Sequence, residues 1–342
     1  MTWPAPLPDR RDPSRGGPAT RRRSGPPAPS STRVVALGGG HGLAASLRAL
    51  RQVTDHLTAI VGVADDGGSS GRLRGEFGVP PPGDLRMALA ALCGDDEWGR
   101  TWEQVVQHRF GGDGPLGGHS VGNLLITALW EETGDTVSGL DWVAALLEAR
   151  GRVLPCSTVP LTIVAEVLGH DPARPDEVVE VRGQVCVATT PGVVLDIRLD
   201  PPEPAACPEA VAALADAEAI VLGPGSWYTS VITHLAIPEL AKAIVASPAR
   251  RIVVVNLNPQ VGETSGFAAH TYLDVLFNYL PDLRIDTVIA DHRHVEDLDA
   301  LYRSAADLGG EVLLTDVGLA DPAHAGTHDP ERLAAAFGTV LA

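Results

Sequence analysis

The sequence predicts an α/β protein with a Rossmann-like, doubly wound, mostly parallel sheet and a small antiparallel β insertion. Short runs rich in β-branched residues alternate with Ala- and Leu-rich stretches of helical periodicity, which is the pattern of parallel strands joined by crossover helices. The first of these runs leads directly into a glycine-rich turn and a helical stretch, as in folds that bind phosphates at strand ends. Residues 162–200 instead read as consecutive strands without helices, which indicates an antiparallel unit between two halves of the sheet.

The elements follow one another in strand and helix order along most of the chain. Apolar, β-branched runs predict main-sheet strands at residues 34–37, 59–64, 219–222, 252–256, 287–290 and 312–314. Helical periodicity predicts helices at residues 43–51, 85–92, 102–109, 121–131, 140–149, 209–215, 239–246, 268–279 and 295–306.

Composition divides the chain into a tail and one domain. Residues 1–32 are rich in Pro, Arg, Ser and Gly and hold few aliphatic side chains, so we predict a disordered Pro/Arg-rich tail. Residues 33–342 are predicted to form the α/β domain, with the β insertion at about 160–200. No apolar run approaches the roughly 20 residues that cross a bilayer, and no signal-peptide pattern is present. We therefore expect a cytoplasmic protein without a transmembrane segment.

The charge distribution restricts the class of ligand. The formal net charge is −17; residues 1–33 hold seven arginines and two aspartates, so they carry +5 and the remainder carries −22. A domain this acidic lacks the electrostatic footprint of a nucleic-acid-binding protein, and we expect no nucleic-acid partner. An anionic ligand would have to be held by local backbone donors and a few arginines. The four widely spaced cysteines exclude a zinc ribbon and a disulfide framework.

The first strand ends in the turn "LGGGHGLAA", which has the character of an anion site. Its glycines let the backbone approach a ligand closely, and the helix that follows presents unpaired N–H groups and a positive dipole end. The turn fits the dinucleotide form G-x-G-x-x-A, with an acid 20 residues later at the end of the next strand. The competing interpretation is a tight structural turn. The candidate ligand-binding residues here are Gly38, Gly39, Gly40, His41 and Gly42.

The stretch "VADDGGSSGRLR" follows the second strand at the same edge of the sheet. Asp65 and Asp66 are candidates to bind a ribose hydroxyl or to coordinate a hard cation such as Mg²⁺, and they are also candidate catalytic carboxylates. The "GGSSG" segment is expected to form a nest of N–H groups around a phosphate, and the arginines are expected to reach that phosphate. A flexible, solvated loop with an Asp-Gly turn is the alternative. The further ligand-binding candidates in this stretch are Gly68, Ser69, Ser70, Arg72 and Arg74.

Two later helix starts add polar candidates. "PPPGDLR" places Asp84 at a helix N-terminus beside Arg86, where a plain helix cap competes with a ligand-facing, candidate catalytic acid. "GGHSVGNLL" places His119 before, and Asn123 inside, an otherwise apolar helix. A buried amide needs partners, so Asn123 is a ligand or backbone contact. His119 is either a general base or a structural residue.

The second half of the chain repeats the sequence of strand, glycine turn and helix at "AIVLGPGSWYTSVI". Hydroxyl groups at the N-terminus of the helix that follows this turn suit a second phosphate or a sugar, and a tyrosine ring there could stack on a base. The turn is not G-x-S-x-G, which excludes a nucleophile-elbow hydrolase. The next strand ends in "NLNPQVGETSGF", another polar edge. The candidate ligand-binding residues of this half are Gly223, Gly225, Ser226, Tyr228, Thr229 and Asn256.

Six motifs together resemble one family closely. In order, "GGGHGL", "VADDGGSSGRLR", "PPGDLR", "GHSVGNLL", "GPGSWYTSVI" and "NPQVGETSGF" are similar to those of the YvcK-type gluconeogenesis factors. These are the bacterial branch of the CofD-like, or 2-phospho-L-lactate transferase, superfamily. The resemblance covers the chain except residues 1–32 and, more loosely, the C-terminal quarter.

The resemblance implies a cytoplasmic UDP-sugar-binding regulator, with UDP-N-acetylglucosamine as the expected ligand, that supports cell shape and cell-wall synthesis on gluconeogenic carbon sources. It implies no particular reaction for this branch. It further implies a homo-oligomer, with cell-wall or kinase proteins as candidate partners. No cofactor is required for binding, and Mg²⁺ is an optional ion.

The other branch of the superfamily supplies the alternative function. CofD transferases move a phospholactyl group from a nucleotide-activated donor to a deazaflavin alcohol with Mg²⁺. By motif position, Asp65, Asp66 and Asp84 would match the carboxylates that serve metal and acceptor there. A third interpretation, an NAD-dependent enzyme, rests on fold analogy alone and is disfavoured because no hydride-transfer apparatus accompanies the fingerprint.

Two departures from the family pattern affect the expected contacts. His41 stands where the YvcK-type pattern usually has threonine, and this replaces a small hydroxyl by a titratable ring. The local sequence around Asn258 and Pro259 also differs from the Met-Thr-Gln that is commoner in the family. The two arginines and the "GGSSG" segment favour the YvcK-type branch over the transferases.

Overall fold

Seven parallel strands form the main sheet of the protein, and three antiparallel strands form a second, smaller sheet. The structure is a computed structural model, and it describes residues 30–320 and 326–342. The main-sheet strands are β1 (Ser30–Gly38), β2 (Thr54–Val61), β3 (Arg152–Pro155), β7 (Ala219–Leu222), β8 (Arg250–Val254), β9 (Thr287–Ala290) and β10 (Glu311–Leu314). The smaller sheet consists of β4 (Thr162–Leu168), β5 (Val178–Arg182) and β6 (Val193–Asp200).

Helices cover both faces of the main sheet and connect most of its strands. They are α1 (Gly40–Leu50), α2 (Gly68–Phe77), α3 (Gly83–Ala91), α4 (Glu97–Gln107), α5 (Val121–Thr133), α6 (Thr136–Leu147), α7 (Gln184–Ala188), α8 (Pro208–Asp216), α9 (Thr233–Leu235), α10 (Pro238–Ala246), α11 (Ala269–Tyr279), α12 (Leu298–Asp307) and α13 (Pro330–Leu341). A π-helical turn over Trp227–Ile232 runs into α9, and a 3₁₀ turn covers His292–His294.

The order of the strands places a switch point at the centre of the main sheet. The order is β10-β9-β8-β7-β1-β2-β3, and every neighbouring pair is parallel. The chain builds outward from β1 through β2 to β3, then returns to the other side of β1 for the remaining strands. In doubly wound sheets, ligands bind outside the carboxyl ends of the strands at such a point. A ligand site is therefore expected at the carboxyl ends of β1, β2 and β7.

The central strands are fully buried, because helices cover both of their faces. All four residues of β7 are buried, as are the last five of β1. Near-continuous apolar runs are what a parallel sheet between two helical layers requires. His234 of α9 is also completely buried, and its ring nitrogens lie 2.6 Å from the Ser230 carbonyl oxygen and 3.1 Å from the Ile60 carbonyl oxygen. This side chain joins the second half of the chain to β2.

The doubly wound fold and the antiparallel insertion are confirmed, and several elements differ from expectation. All six expected strands are present, but β3 was not anticipated, because it is only four residues long and ends in proline. Helix α13 was also missed. The "GGSSG" segment was expected to be a nest-forming loop; it is instead the first turn of α2, which Gly67 precedes in an extended conformation. The insertion was expected to contain no helix, yet α7 follows β5 where Gly183 turns the chain with φ of +96°.

The start of the domain lies earlier than the composition suggested. Residues 30–32, expected in the tail, belong to β1, because the Ser30 N–H donates to the Val53 carbonyl at 2.7 Å and extends the pairing with β2. The rest of the predicted tail, residues 1–29, lies outside the described residues.

Within residues 30–320 and 326–342, no single helix has the length and apolar character needed to cross a membrane. One bent pair, Trp227–Leu235 and Pro238–Ala246 at 75°, passes the same test when its two members are taken together, on length and composition alone.

Candidate functional site

A cavity of about 310 Å³ opens at the carboxyl ends of β1, β2 and β7. We call it the first cavity. Its lining comes from six separate parts of the chain: the two glycine turns, the segment after β2, the start of α3, the insertion, and the segment after β8. The lining residues are Gly39, Gly40, His41, Gly42, Gly62, Ala64, Asp65, Asp84, Met87, Gln184, Gly225, Ser226, Thr229, Ser230 and Gln260.

The two glycine turns touch each other at the base of this cavity. A Cβ atom on Gly42 would lie 2.3 Å from the Pro224 carbonyl oxygen and 2.6 Å from the Gly225 Cα atom, so only glycine fits at residue 42. Asn256, just beyond β8, holds the second turn by accepting from the Gly225 N–H at 2.9 Å and donating to the Gly225 carbonyl at 2.8 Å. Asn256 therefore supports the site through the backbone of Gly225.

Helix α1 presents its N-terminus to the first cavity. It begins at Gly40, whose φ of +57° suits glycine, and its N-cap residue Gly39 has no side chain that could cap the helix. Free N–H groups and the positive end of the helix dipole attract anions. No lysine or arginine is among the described residues that line the cavity, so the donors available to an anion there are backbone N–H groups, hydroxyls, the amides of Gln184 and Gln260, and the His41 ring.

Asp84 is the carboxyl group most perturbed by this environment. It occupies the first turn of α3, and a Cβ atom on Gly39 would lie only 2.4 Å from its Oδ2 atom. Burial, reinforced by the nearby negative charge of Asp65, raises the pKa of Asp84 to about 7, although the Gly40 N–H bonds to its carboxylate. A pKa near neutrality is typical of an acid–base group or of a carboxylate that lies beside a bound cation.

Asp65 and Asp66 do not form a joint site, although they are adjacent in sequence. Asp65 lines the first cavity, where its Oδ1 atom accepts from the Gly67 N–H at 2.9 Å. Asp66 is exposed, and its Oδ1 atom accepts instead from the Val185 N–H at 3.0 Å, at the start of α7. The pair of carboxylates that share the cavity is Asp65 with Asp84.

The two arginines expected at a phosphate are engaged elsewhere. Arg72 donates to the carbonyl oxygens of Pro115 and Gly117, at 2.5 and 2.8 Å. Arg74 donates to the Leu161 carbonyl and the Thr162 hydroxyl, both at 2.7 Å, and so attaches α2 to the insertion. A guanidinium presents several N–H donors in one plane, so it can bond two acceptors at once. Both side chains therefore anchor the segments to which they donate.

Arg86, Asn123, Ser69 and His119 form a buried polar cluster behind the first cavity. Arg86 Nε donates to Asn123 Oδ1 at 2.9 Å, and Asn123 Nδ2 donates to Ser69 Oγ at 3.1 Å. Ser69 Oγ in turn lies 3.0 Å from His119 Nδ1. Burial lowers the pKa of Arg86 to about 10, and burial followed by the charge of Arg72 lowers that of His119. The structure thus brings these four candidates together, but none of them lines the cavity.

Ser70 and Gly68, two further candidates, also lie outside the lining of the first cavity. Ser70 is buried, with its hydroxyl within 3.5 Å of Asn123 Nδ2, and Gly68 is exposed at the start of α2. Neither lines the cavity, because the helical turn directs this segment toward α5. The phosphate nest expected here is therefore not formed.

Tyr228 is packed in the core and is not available to stack on a base. Its ring meets Phe267 and Tyr279 edge to face, with centroids 6.2 and 6.5 Å apart, and burial raises its pKa to about 12. The neighbouring Ser226 and Thr229 do line the first cavity, as expected. The Thr229 N–H donates to the buried Glu263 carboxylate at 3.0 Å, which fixes this helical turn.

A smaller cavity of about 170 Å³ adjoins the first and is called the second cavity. The two share His41, Gly42, Gly225 and Gln260. The exposed His41 ring thus lies between them. The remaining lining residues of the second cavity are Ala45, Pro224, Asn256, Leu257, Asn258, Gly326, Thr327 and His328.

Six lining residues of the first cavity were not among the sequence candidates: Gly62, Ala64, Met87, Gln184, Ser230 and Gln260. Met87 follows Asp84 by three positions on α3, and this helical spacing would have indicated it. Ser230 lies within a motif already identified. No sequence pattern indicated Gln184, because only the tertiary fold brings α7 of the insertion to the glycine turns.

The carboxylate Asp291 beyond β9 does not belong to a ligand site. It lies with His292 and Asp316 in a group whose ligand atoms are within 4.8 Å of one another. However, it accepts from the Arg293 side chain and from the N–H groups of Val317 and Gly318. These bonds lower its pKa and account for its charge without a metal.

The fold and the cavities define a doubly wound α/β protein with a crevice at its switch point that is lined by two glycine turns. The sequence model of the family described as "2-phospho-L-lactate transferase CofD" matches residues 34–315. The chain belongs to the CofD family, and its relatives place it among the YvcK-type members.

These relatives are close in sequence and in structure. A Mycobacterium tuberculosis protein named "Putative gluconeogenesis factor" is 49% identical over 314 residues, which cover 90% of each chain. The "Gluconeogenesis factor" of Halalkalibacterium halodurans is 37% identical over 264 residues, or 77% of this chain and 79% of that one. A crystal structure of a UPF0052-family protein from Bacillus halodurans superposes with a TM-score of 0.78, at 31% identity, over 90% of this chain and 98% of that one.

Proposed function

We propose that the protein binds a UDP-sugar, with UDP-N-acetylglucosamine as the first candidate, and that its diphosphate lies at the two glycine turns. The observation that carries this proposal is the contact between Gly42 and the second turn, which brings the N-terminus of α1 and the Ser226 turn to one cavity. An elongated ligand with two phosphates and a polar ring at each end matches two cavities joined at those turns.

Mg²⁺ fits the carboxylates that share the first cavity. Asp65 and Asp84 present hard oxygen ligands there. The pKa of Asp84 is raised first by burial and then by the charge of Asp65, and a bound cation would stabilise its ionised form. We propose that these two residues would hold the ion, in place of the Asp65 and Asp66 pair expected from the sequence. When bound, the ion would neutralise phosphate charge that the cavity lining itself does not balance.

The biological role we propose is regulation of cell shape and cell-wall synthesis during growth on gluconeogenic carbon sources, in the cytoplasm. The "gluconeogenesis factor" name of relatives that match the chain over most of its length supports the link to gluconeogenic growth. The roles in cell shape and cell-wall synthesis and the cytoplasmic location rest on the resemblance of the six motifs to the YvcK-type factors. In this role the protein would act as a sensor of the nucleotide sugar and would signal through other proteins.

A second candidate is a transferase acting on a phosphorylated, nucleotide-activated substrate. It is favoured by the raised pKa of Asp84 beside Asp65, since a carboxyl group that titrates near neutrality can accept a proton from an attacking hydroxyl. The family description names such an activity for CofD.

Calorimetric titration with UDP-N-acetylglucosamine, UDP-glucose, GDP and NAD, each with and without Mg²⁺, separates these functions. Chromatography of the ligand after incubation shows whether it is consumed. Binding of an intact UDP-sugar supports the sensor. Preference for GDP, together with turnover of a deazaflavin alcohol and an activated phospholactate, would make the transferase the leading function.

A further inference from the structure

The second cavity contains two buried acceptor atoms that have no partner. His328 is 7% exposed, and its Nε2 atom makes no hydrogen bond to any residue of the described chain. Gln260 Oε1, where the two cavities meet, is likewise buried and unpaired among the described residues. Buried polar atoms in folded proteins nearly always have a partner, so two in one small cavity indicate that a ligand supplies it.

The chemistry of His328 defines the missing partner. Burial lowers the pKa of this imidazole to about 4, and a ring N–H donates a hydrogen bond to the Val255 carbonyl. Since Nε2 is the unpaired nitrogen, Nδ1 carries that proton and Nε2 offers a lone pair. The Gln260 oxygen is also an acceptor. The cavity therefore presents two acceptors, and it complements a group with N–H or O–H donors.

The rest of the lining excludes a charged occupant. Among its described residues the second cavity has no lysine, arginine, aspartate or glutamate, and its other polar side chains are Asn256, Asn258, Thr327 and the shared His41. Asn256 is already bonded to Gly225, and Asn258 Oδ1 lies 3.1 Å from His294 Nδ1. The carboxylates are confined to the first cavity, on the other side of the glycine turns.

We infer that the second cavity binds an uncharged, hydrogen-bond-donating ring at one end of the ligand whose diphosphate lies at the glycine turns. This inference rests on the proposed function, and the ring is either the base or the hexose of the nucleotide sugar. The other end of the ligand would then lie with Asp65 and Asp84.

The test compares two variants with wild type in titrations with UDP-N-acetylglucosamine, UDP and inorganic pyrophosphate. His328→Asn removes Nε2 but retains an N–H near the position of Nδ1, so the bond to Val255 can persist. Gln260→Met removes the amide oxygen at nearly constant length. His270→Asn on α11, outside both cavities, is the matched control. Thermal melts establish that each variant is folded, and Gln260→Met carries the test if His328→Asn does not fold.

We expect about a tenfold loss of affinity for UDP-N-acetylglucosamine in either cavity variant and none in the control. An equal loss for UDP places the base in the second cavity, whereas unchanged affinity for UDP places the hexose there. Pyrophosphate affinity should not change. The inference is overturned if the variants bind every ligand with wild-type affinity. It is also overturned if their affinity for pyrophosphate falls as much as their affinity for UDP-N-acetylglucosamine.

Failure of the proposed function would look different. Wild type would then bind neither UDP compound, and the same comparison would be made with GDP, the ligand preferred by the second candidate function. If wild type binds no nucleotide at all, the proposed function and this inference both fail; if only the variants are indistinguishable from wild type, this inference alone fails.

Discussion

At the residue scale, the carboxyl group of Asp84 couples stability to pH. Its pKa is 3.8 ordinarily and about 7 in the folded protein, so the folded state binds more protons than the unfolded state between these values. The free energy of unfolding should therefore fall, on account of this group, as pH rises from about 4 to about 7, and then level off.

Asp84→Asn should remove that dependence and stabilise the protein at pH 8. Each pKa unit corresponds to about 1.4 kcal/mol, and after allowance for solvent screening we expect a gain of about 2 kcal/mol. The amide oxygen can still accept from the Gly40 N–H. Urea unfolding at pH 5 and pH 8 measures the effect. If the variant is only as stable as wild type at pH 8, burial of the ionised Asp84 carboxylate does not destabilise the folded protein.

The different contacts of Asp65 and Asp66 give a matched pair of variants. Asp65→Asn should change UDP-sugar affinity and its dependence on Mg²⁺, because Asp65 lines the first cavity. Asp66→Asn should leave affinity unchanged and lower stability by about 1 kcal/mol, since it weakens the bond to Val185 at the start of α7. Calorimetry and urea unfolding of both variants provide the comparison; equal effects on affinity would contradict these separate roles.

At the element scale, the glycine turns depend on the absence of side chains at their contact. Gly42→Ala would force apart the N-terminus of α1 and the Pro224 carbonyl. We expect a loss of about 2 kcal/mol in stability, the magnitude of overpacking in a closed contact, and at least a tenfold loss of ligand affinity.

Gly75→Ala is the control for that substitution. Gly75 lies within α2, and a Cβ atom there would contact nothing within 4 Å. Alanine is the better helix former, so this variant should be at least as stable as wild type and should bind normally. If Gly42→Ala behaved in the same way in melts and titrations, the contact between the turns would not be essential.

The attachment of α2 to the insertion depends on Arg74. Arg74→Met should lower stability by about 2 kcal/mol, because it leaves the Leu161 carbonyl and the Thr162 hydroxyl without their charged donor. Affinity for inorganic pyrophosphate should be unaffected, since the guanidinium lies away from both cavities. A large loss of pyrophosphate affinity without a loss of stability would restore the phosphate role expected from the sequence.

At the scale of the whole molecule, the net charge governs which polyanions the protein can bind. With a formal net charge of −17 and a strongly acidic domain, we predict that the full chain does not bind double-stranded DNA at physiological salt. Electrophoretic mobility shift at about 150 mM salt tests this, and a retarded DNA band would contradict it. An individual nucleotide is different, because backbone donors at one cavity suffice to hold it.

The sequence predicted the strand and helix order well because parallel strands and their crossover helices have separate periodicities. It also identified the glycine turns, since a cluster of glycines is unfavourable inside a strand or a helix and favours a tight turn. Its errors at the site share one cause. Arg72, Arg74 and Asp66 were assigned to a ligand because they are near the turns in sequence, but their partners, such as Thr162 of β4 and Val185 of α7, belong to elements that are remote in the chain.

The sequence by itself determined the α/β class and the two glycine turns, because these follow from local periodicity and backbone freedom; it named Asp65, Asp66 and Asp84 only as candidate carboxylates. Only the tertiary structure decided which side chains face the crevice. It brought Gln184, Gln260 and His328 to the cavities, and it moved Arg86 and Asn123 into a buried cluster. The physical reason is that a polar side chain turns toward whichever partner best satisfies it, and that partner is set by packing across distant elements.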